Sequence, residues 1–423
     1  MFKPQSRSFS FRVLSSVKLM CLSLVAIAIV LVSLRPVQAD VLELKQDQAA
    51  GNHWSTGSDF NNLASCSGGY RVVHSGYLLR SPAENANQTL TAIYLGYTYD
   101  ATTGIYTVVG EEDRSRLALK NGGANTITIE NLYLGNGQVL AWGANNPTLA
   151  GKINVEGARS EIFAQDAQNF IISAQIVKVT PDAKLDLVPY EKSGVVGQIY
   201  IRNSSNVNCP LNLTKGTIFF DGTNTFGSDF ALTLQNNSGV KLGANYVGLA
   251  GTTMTVEGNV NYCHYEGTGA NKTNYSDVLI NSGAMLNAVN NDGAGATGSM
   301  TFTGELQGSG TLKVNTVGTT NTNSLTLGHS ENSFTGNVSV TGGKLQFTVK
   351  GHDDVTYTGT NALINAASVA VSSGATIDVG ATTQTLNNLS GAGTVTVSSG
   401  GSLTLNYTAD ETTFSGEISS TGE

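Results

Sequence analysis

The segment Leu306–Val314 reads LQGSGTLKV, and the segment Leu389–Val397 repeats it as LSGAGTVTV. Each segment opens with leucine, carries two glycines separated by one small residue, and closes with an alternating run that ends in valine. A Leu-Thr-Leu strand follows each segment, at 325–327 and at 403–405. This repeated order of short strands and glycine breaks is typical of a solenoid, in which each repeat packs only on its neighbours.

An aromatic residue followed two positions later by glycine completes each repeat. This step reads FTGNV at Phe334–Val338 and FSGEI at Phe414–Ile418, and a further copy, FTGEL at Phe302–Leu306, precedes the first segment. The elements keep the same order, although the connections between them differ in length. Fixed strands joined by variable loops are expected when repeats stack as coils and their loops lie on the surface.

Alternation of apolar and polar residues continues through much of the chain after residue 40. Thr126–Leu134 begins TITI and Thr394–Val397 reads TVTV, while breaks such as Asn136-Gly137 supply residues that tolerate positive φ. Period-two alternation predicts strands with one buried face. Glycine contributes 49 of 423 residues and charged residues only 13%, a composition that favours many short strands over a disordered chain.

Two architectures fit many short strands: sandwiches or barrels on one hand, and a solenoid on the other. A sandwich architecture would require several domains over this length, and the sequence has no linkers between them. The internal repeats therefore predict an all-β chain that forms a right-handed parallel β-helix, with coils of about 20 to 25 residues. Inward Val, Ile, Leu and Phe would stack in ladders, and outward Thr, Ser and Asn would contact water.

The repeat also resembles the β-strand repeat of bacterial autotransporter passengers, over about residues 299–423. The residues that carry this resemblance are Gly304, Leu306, Gly308, Gly310, Phe334, Gly336, Leu389, Gly391, Gly393, Phe414 and Gly416. Trp54–Gly57 (WSTG) is similar to the entry of such passengers. The resemblance implies an exported β-helix that is structural or adhesive. Two features depart from the family: no terminal run of barrel strands follows, and the chain ends at Glu423 partway through a repeat.

The N-terminal 39 residues predict a secretory signal peptide. Basic residues including Lys3, Arg7 and Lys18 precede the apolar run 19–34, and small residues follow before Asp40. We expect cleavage between Ala39 and Asp40, and therefore engagement of the Sec machinery and signal peptidase. An uncleaved membrane anchor is the alternative, although the run is short for a spanning helix.

Removal of this signal makes the chain strongly acidic. The signal holds five of the 23 Lys and Arg residues and none of the 31 Asp and Glu residues, so cleavage lowers the formal charge from −8 to about −13. Such a charge argues against nucleic acid and against anionic membranes as partners. We expect no membrane-spanning segment after cleavage, and a location at the cell surface, in the outer membrane or outside the cell.

Three cysteines follow the signal: Cys66, Cys209 and Cys263. An odd number at these wide spacings does not form a disulfide framework. A single disulfide between Cys209 and Cys263 would be compatible with an oxidising compartment, and the alternative is that all three are unpaired. No two of them have the spacing of metal ligands.

The sequence divides into four segments. Residues 1–39 are the signal, 40–125 a less regular start of the solenoid, 126–298 a central β-helix, and 299–423 the part with autotransporter-type repeats. The densest charge cluster, Glu111–Arg116, is expected to be a solvated loop and the place where a partner would bind.

Catalytic signatures are absent from the sequence, which contains no nucleophile elbow, zinc-protease or phosphate-loop motif. His352–Asp354 and Cys263–Glu266 group polar ligands, but neighbours on a strand point to opposite faces. His53, His74 and His329 are isolated. We therefore predict no enzymatic activity, no cofactor and no metal, with a glycan, a protein or another copy of the chain as partner. The alternative is a secreted carbohydrate-active β-helix enzyme, a lyase or hydrolase.

Overall fold

The segments in which apolar and polar residues alternate pair as parallel strands. Their apolar side chains stack in columns that run from one coil to the next along the solenoid axis. Thr233 and Thr255 lie in register on the outward side of one sheet, between residues that face the interior. One inward column of this sheet consists of Leu211, Leu232, Met254, Val278 and Leu306. Each of these side chains is at most 2% exposed. The prediction of an all-β chain with parallel strands stacked as a β-solenoid is confirmed.

The computed structural model describes residues 42–44, 70–72, 78–81, 87–100, 102–103, 105–109, 115–119, 125–141, 146–164, 169–189, 191–192, 195–264, 272–290, 299–316, 324–350, 355–408 and 412–420. The predicted signal with Ala39 and Asp40, the Trp54–Gly57 match and Cys66 lie outside the described residues. Within these ranges the chain contains strands, turns and bends but no helix.

Short strands make up most of the described ranges. The first are β1 (Leu42–Leu44), β2 (Tyr70–Val72), β3 (Leu78–Arg80), β4 (Gln88–Leu95), β5 (Tyr97–Asp100), β6 (Ile105–Val108), β7 (Arg116–Leu119), β8 (Thr126–Leu134), β9 (Gln138–Ala141), β10 (Thr148–Val155), β11 (Ser160–Ala164), β12 (Asn169–Ile172), β13 (Gln175–Lys178) and β14 (Leu185–Pro189). The next are β15 (Glu191–Lys192), β16 (Val195–Val196), β17 (Gln198–Arg202), β18 (Val207–Asn208), β19 (Pro210–Leu213), β20 (Gly216–Asp221), β21 (Ala231–Leu234), β22 (Ser238–Leu242), β23 (Tyr246–Val247), β24 (Thr253–Val256), β25 (Asn259–His264), β26 (Lys272–Asn274), β27 (Asp277–Ile280) and β28 (Met285–Asn290). The last are β29 (Met300–Phe302), β30 (Leu306–Gly308), β31 (Thr311–Asn315), β32 (Ser324–Leu327), β33 (Asn337–Gly342), β34 (Lys344–Gln346), β35 (Thr348–Lys350), β36 (Thr356–Thr358), β37 (Ser368–Val371), β38 (Thr376–Gly380), β39 (Thr383–Asn387), β40 (Leu389–Gly391), β41 (Thr394–Val397), β42 (Ser402–Asn406) and β43 (Glu417–Ser420).

Three parallel sheets form the walls of the solenoid: a long sheet of 17 strands, a second sheet of ten and a third sheet of eight. In the middle of the chain each coil gives one strand to each sheet, as β22, β23 and β24 do, followed by β25, β26 and β27. The enclosed core is one continuous cluster that reaches from Leu79 to Val395. Strand pairing continues across residues 125 and 298, since β4 pairs with β8 and β27 pairs with β30.

Asparagine side chains connect one coil to the next at the ends of strands, where the backbone ladder is interrupted. In each case the side-chain oxygen accepts a hydrogen bond from a backbone N–H of the next coil, at 2.9 to 3.1 Å. The pairs are Asn87 with Thr126, Asn146 with Asn169, Asn203 with Thr223, Asn236 with Asn259, and Asn388 with Thr408. At these turns between strands, which we call corners, the bonds satisfy backbone N–H groups that would otherwise have no acceptor.

The two copies of the repeat form the same corner. Gly308 and Gly391 adopt φ angles of 94° and 99°, in the region that favours glycine. After one further residue, the N–H groups of Gly310 and Gly393 donate to a carbonyl of the preceding coil at 3.1 and 3.0 Å. The spacing of the two glycines in the sequence therefore reflects a tight turn between two strands, which requires a glycine at each of these positions.

The aromatic-x-Gly step lies directly on this corner in the following coil. Thr335 and Ser415 donate backbone hydrogen bonds to the carbonyls of Gly308 and Gly391, both at 2.8 Å. A Cβ atom on Gly336 would lie 1.9 Å from the Gly310 oxygen, so a larger residue does not fit there. Close approach of two backbones thus explains the glycine of this step.

The two copies of the corner lie on different faces of the solenoid. Leu306–Gly308 is strand β30 of the second sheet, whereas Leu389–Gly391 is strand β40 of the long sheet. The same local hydrogen bonds occur at both places. The repeat in the sequence therefore specifies a type of corner rather than a fixed position around the coil.

Tyr262 is an inward-facing residue of β25 with no solvent exposure. Its ring makes an edge contact with Phe302, at 5.2 Å between centroids. Its hydroxyl has no hydrogen-bond partner among the described residues, and burial raises the pKa of this phenol. A desolvated hydroxyl without a partner costs free energy, because its bonds to water are lost on folding.

Replacement of Gly336 by alanine is expected to destabilise the solenoid by about 1 to 3 kcal/mol, because the new methyl group collides with the Gly310 carbonyl. Urea unfolding of both proteins measures the effect. Gly239→Ala is the matched control, since a Cβ there meets no atom closer than 3.4 Å. Equal loss of stability in the two variants would contradict the steric explanation.

Replacement of Tyr262 by phenylalanine is expected to increase stability by about 1 kcal/mol, because it removes the desolvated hydroxyl and keeps the ring. Thermal and chemical denaturation would measure this difference. Tyr246→Phe serves as control, because the Tyr246 hydroxyl donates to the Asn224 carbonyl at 2.8 Å and its removal should decrease stability. A less stable Tyr262→Phe protein would mean that the hydroxyl has a partner in the folded chain.

Candidate functional site

The outward face of the long sheet, from β17 to β31, carries the candidate site. Strand register places its side chains in two neighbouring rows. The first row is Gln198, Thr217, Gly239, Asn261, Asn287 and Lys313. The second row is Tyr200, Phe219, Lys241, Cys263, Val289 and Asn315. Neighbours within a row are one strand spacing apart, about 4.8 Å.

Aromatic rings and cations occupy one end of the second row. The rings of Tyr200 and Phe219 stack at 4.3 Å, with 15° between their planes. The Arg202 guanidinium lies 5.3 Å from the centre of the Tyr200 ring, and the Lys241 ammonium lies 5.3 Å from that of Phe219. Phe219 is only 2% exposed although it points outward, because these neighbours cover it. The cation–π contact holds the Lys241 side chain along the face.

A depression of about 310 Å³ lies beside Lys241, where Gly239 interrupts the first row. We call it the notch. Thr217 and Asn261 flank Gly239 in register, and the side chain missing from Gly239 opens the space between them. The notch is lined by Thr217, Asn237, Gly239, Lys241, Asn261, Cys263 and Val289, together with the neighbouring residues 216, 238 and 240.

The polar groups of the notch include amides, a hydroxyl and an ammonium. Asn287 donates from its amide to the Asn261 oxygen at 2.9 Å. This bond orients the exposed Asn261 amide and leaves its N–H groups directed to other acceptors. Thr217 adds a hydroxyl and Lys241 a positive charge. Hydroxyl, amide and ammonium groups around a partly apolar floor suit the binding of a small polar ligand.

Positive charge predominates on this part of an otherwise acidic chain. Three cations lie on this part of the sheet. Lys241 belongs to the second row, Lys313 ends the first row, and Arg202 follows Tyr200 by two positions on β17. Asp221 pairs with Arg202 at 2.6 Å, so its charge is locally compensated. Lys272 donates to the Gly243 carbonyl at 2.7 Å nearby, and burial lowers the pKa of its ammonium.

The side chains that line the notch carry hydroxyl, amide, thiol, ammonium and apolar groups. None of the residues that line the notch is Asp or Glu, whereas glycoside hydrolysis requires a pair of carboxyl groups that flank the scissile bond. Within the part of the chain that the structure describes, no group of three or more His, Cys, Asp and Glu is placed to hold a metal ion.

The residues singled out in the sequence are distributed along the solenoid and do not form one site. Phe334 and Leu389 are buried core residues, and Phe414 packs on the core while partly exposed. Leu306 is also a core residue, and the remaining motif residues are the corner glycines Gly304, Gly308, Gly310, Gly336, Gly391, Gly393 and Gly416. His352–Asp354 and Tyr265-Glu266 lie outside the described residues, as do Glu111–Arg114 of the charge cluster.

The sequence analysis missed both aromatic features of the long sheet. Besides the Tyr200–Phe219 pair, the hairpin β5–β6 folds on the outer face and stacks Tyr106 on Tyr94 at 4.7 Å, while Tyr94 stacks on Tyr133 at 4.5 Å. One signal was present: Phe219-Phe220 are consecutive in a strand, so one of the two must point outward.

Neither of the two cysteines among the described residues forms a disulfide bond, and both are buried. Cys209 is fully enclosed, and burial raises its thiol pKa to about 12. Cys263 lies in the second outward row, beside the notch, and is 8% exposed. The disulfide considered between Cys209 and Cys263 is therefore not formed in this structure.

Comparison of the chain with protein-family models, with curated proteins and with solved structures finds no match. Across the described ranges, no helix has the length and apolar character needed to span a bilayer. The resemblance to autotransporter passengers therefore stays a prediction that rests on the repeat motif.

Cys209 is expected to resist alkylation in the folded protein, because its raised pKa keeps the thiol protonated at pH 8 and the core excludes reagent. Iodoacetamide labelling followed by peptide mass spectrometry measures this. Labelling in 6–8 M urea, an approximate range for full unfolding, is the control and should modify Cys209. Rapid labelling of native Cys209 would contradict its placement in the core.

Proposed function

We propose that this chain is an exported, non-enzymatic β-helical protein, similar to an autotransporter passenger, that adheres through its outer faces. The observation that carries the proposal is the row structure of these faces. On the second sheet Asn212, Thr233 and Thr255 stack in register, while the alternate positions form the buried core. A solenoid with polar side chains at fixed spacing is suited to contact an extended partner at several points.

Glycan, protein and a second copy of the chain are the partners that suit such a surface. A glycan is favoured by the notch, because its hydroxyl and amide groups match sugar hydroxyl groups. Nucleic acid is disfavoured by the acidic composition. Export is supported by the signal-like N-terminus, which would use the Sec machinery and signal peptidase.

Export predicts that the native product lies in the outer membrane, on the cell surface or in the medium, with Asp40 as its first residue. An antibody raised against residues 40–423 would locate it in cell fractions, and N-terminal sequencing would define the cleavage site. The same purified protein should bind glycan or cells without releasing reducing or unsaturated sugar from a polysaccharide panel.

A cytoplasmic product that retains Met1 would contradict export. Sugar release by the purified protein would instead support the alternative of a secreted β-helix lyase or hydrolase. The matched control for both measurements is the Gly336→Ala chain, whose disrupted corner should reduce surface binding while it leaves the N-terminal sequence unchanged.

A further inference from the structure

We propose that the notch at Gly239 binds one ring of an uncharged polysaccharide and recognises it through the hydroxyl groups of the sugar. The inference deepens the proposed adhesive function and rests on it, since it identifies a place and a ligand class on the outer face. It depends on three properties of the notch: a glycine that the fold does not require, hydroxyl and amide groups on its two sides, and a volume that suits one sugar ring.

Gly239 is not required by the backbone or by packing. Most other described glycines either have positive φ or would place a Cβ within 3 Å of another atom, as Gly336 does. Gly239 has neither property: its φ is not positive, and a Cβ would lie 3.4 Å from the Asn261 carbonyl and 3.6 Å from the Thr217 hydroxyl. These are ordinary contacts, so a β-branched residue would fit and would favour the strand.

A glycine in the interior of a strand, where a larger residue would fit, is typical of a place where a ligand approaches the backbone closely. Gly239 lies inside β22, between Thr217 of β20 and Asn261 of β25. The backbone at Gly239 lines the notch together with Val289, so the floor is partly apolar. The C–H face of a pyranose ring can lie on this floor, while its hydroxyls point to the two sides.

The polar groups on the two sides are available to a ligand. Asn261 accepts a hydrogen bond from Asn287 on its side-chain oxygen, at 2.9 Å, and its own amide N–H groups make no hydrogen bond to another described residue. The Thr217 hydroxyl likewise has no hydrogen-bond partner within the described ranges. Two strand spacings, about 9.6 Å, separate Thr217 from Asn261, so the two groups can reach opposite edges of one ring.

Hydroxyl groups, rather than charge, are what the notch can select. The Lys241 ammonium lies over the Phe219 ring at 5.3 Å from its centre, and Arg202 pairs with Asp221 at 2.6 Å, so both cations interact within the chain. A sugar hydroxyl both donates and accepts hydrogen bonds, and so matches the Thr217 hydroxyl as well as an amide N–H. A carboxylate would lose hydration on entry without such a match.

The volume of about 310 Å³ lies at the lower end of small-molecule sites, and so suits one sugar unit of a chain. Because the notch is open, the neighbouring units of a polysaccharide can continue along the rows of the sheet. A polymer would therefore contact the notch with one ring and the outward rows with the next.

Calorimetric titration of the full chain with short oligosaccharides of β-glucan, mannan, xylan and galactan, with oligogalacturonate as the acidic comparison, tests the proposal. We expect at least one uncharged oligosaccharide to bind. Its affinity should change less than about twofold between about 0.05 and 0.5 M salt, because no ion pair is formed. Binding of oligogalacturonate alone would overturn the proposal.

Two substitutions place the binding in the notch. Gly239→Val should abolish it without lowering the melting temperature, because the new side chain fills the notch and fits the strand. Thr217→Val keeps the shape of the side chain and removes the hydroxyl, and should weaken binding about tenfold. Thr233→Val is the matched control, because it removes the same group from an outward row of the second sheet; it should change the affinity less than about twofold.

Binding of an uncharged oligosaccharide that survives both Gly239→Val and Thr217→Val would overturn the notch and leave the adhesive function standing. So would failure of every uncharged oligosaccharide while the chain still binds a protein, cells or another glycan. Failure of the chain to bind any glycan, protein or cell surface would remove the proposed function together with the notch.

Discussion

The hydrogen bonds between the backbones of successive coils determine the rest of the structure. They run along the axis of the solenoid, so a coil satisfies its N–H and C=O groups only by lying on its neighbours in register. Where the chain turns a corner, two backbones come within contact distance, and a side chain such as one at Gly336 would separate them. The glycines of the repeat and the columns of the core are both consequences of this stacking.

Buried amide side chains extend the same bonding where the strands are interrupted. Asn332, 1% exposed, accepts the N–H of Leu306 at 2.7 Å and donates to the Ala362 carbonyl at 2.9 Å, and so joins three successive coils. Gln384, fully buried, accepts the N–H of Ala362 at 3.1 Å and continues the connection to the next coil. A buried amide costs free energy unless it forms hydrogen bonds. Here the two amides make the contacts between coils at places where the backbones form no strand pairing.

The sequence predicts the strands and corners well because both depend on local patterns. The TVTV of β41 and the two glycines of each corner could be interpreted without knowledge of distant residues. The outer faces could not, because they depend on which coil lies beside which. Thr273 and Thr301 belong to short strands of the third sheet and are fully buried, although alternation favours exposure of threonine there. Gly239 resembles a corner glycine in the sequence, and only register shows that it lies within a row.

Because the inward columns are separate from the outward rows, an outward residue can be exchanged at little cost to the core. An inward position such as Val240 is enclosed in the core, whereas the atoms nearest to a Cβ at the outward Gly239 belong to its row neighbours Thr217 and Asn261. Glycine at 239 therefore removes row contacts without opening a cavity in the core.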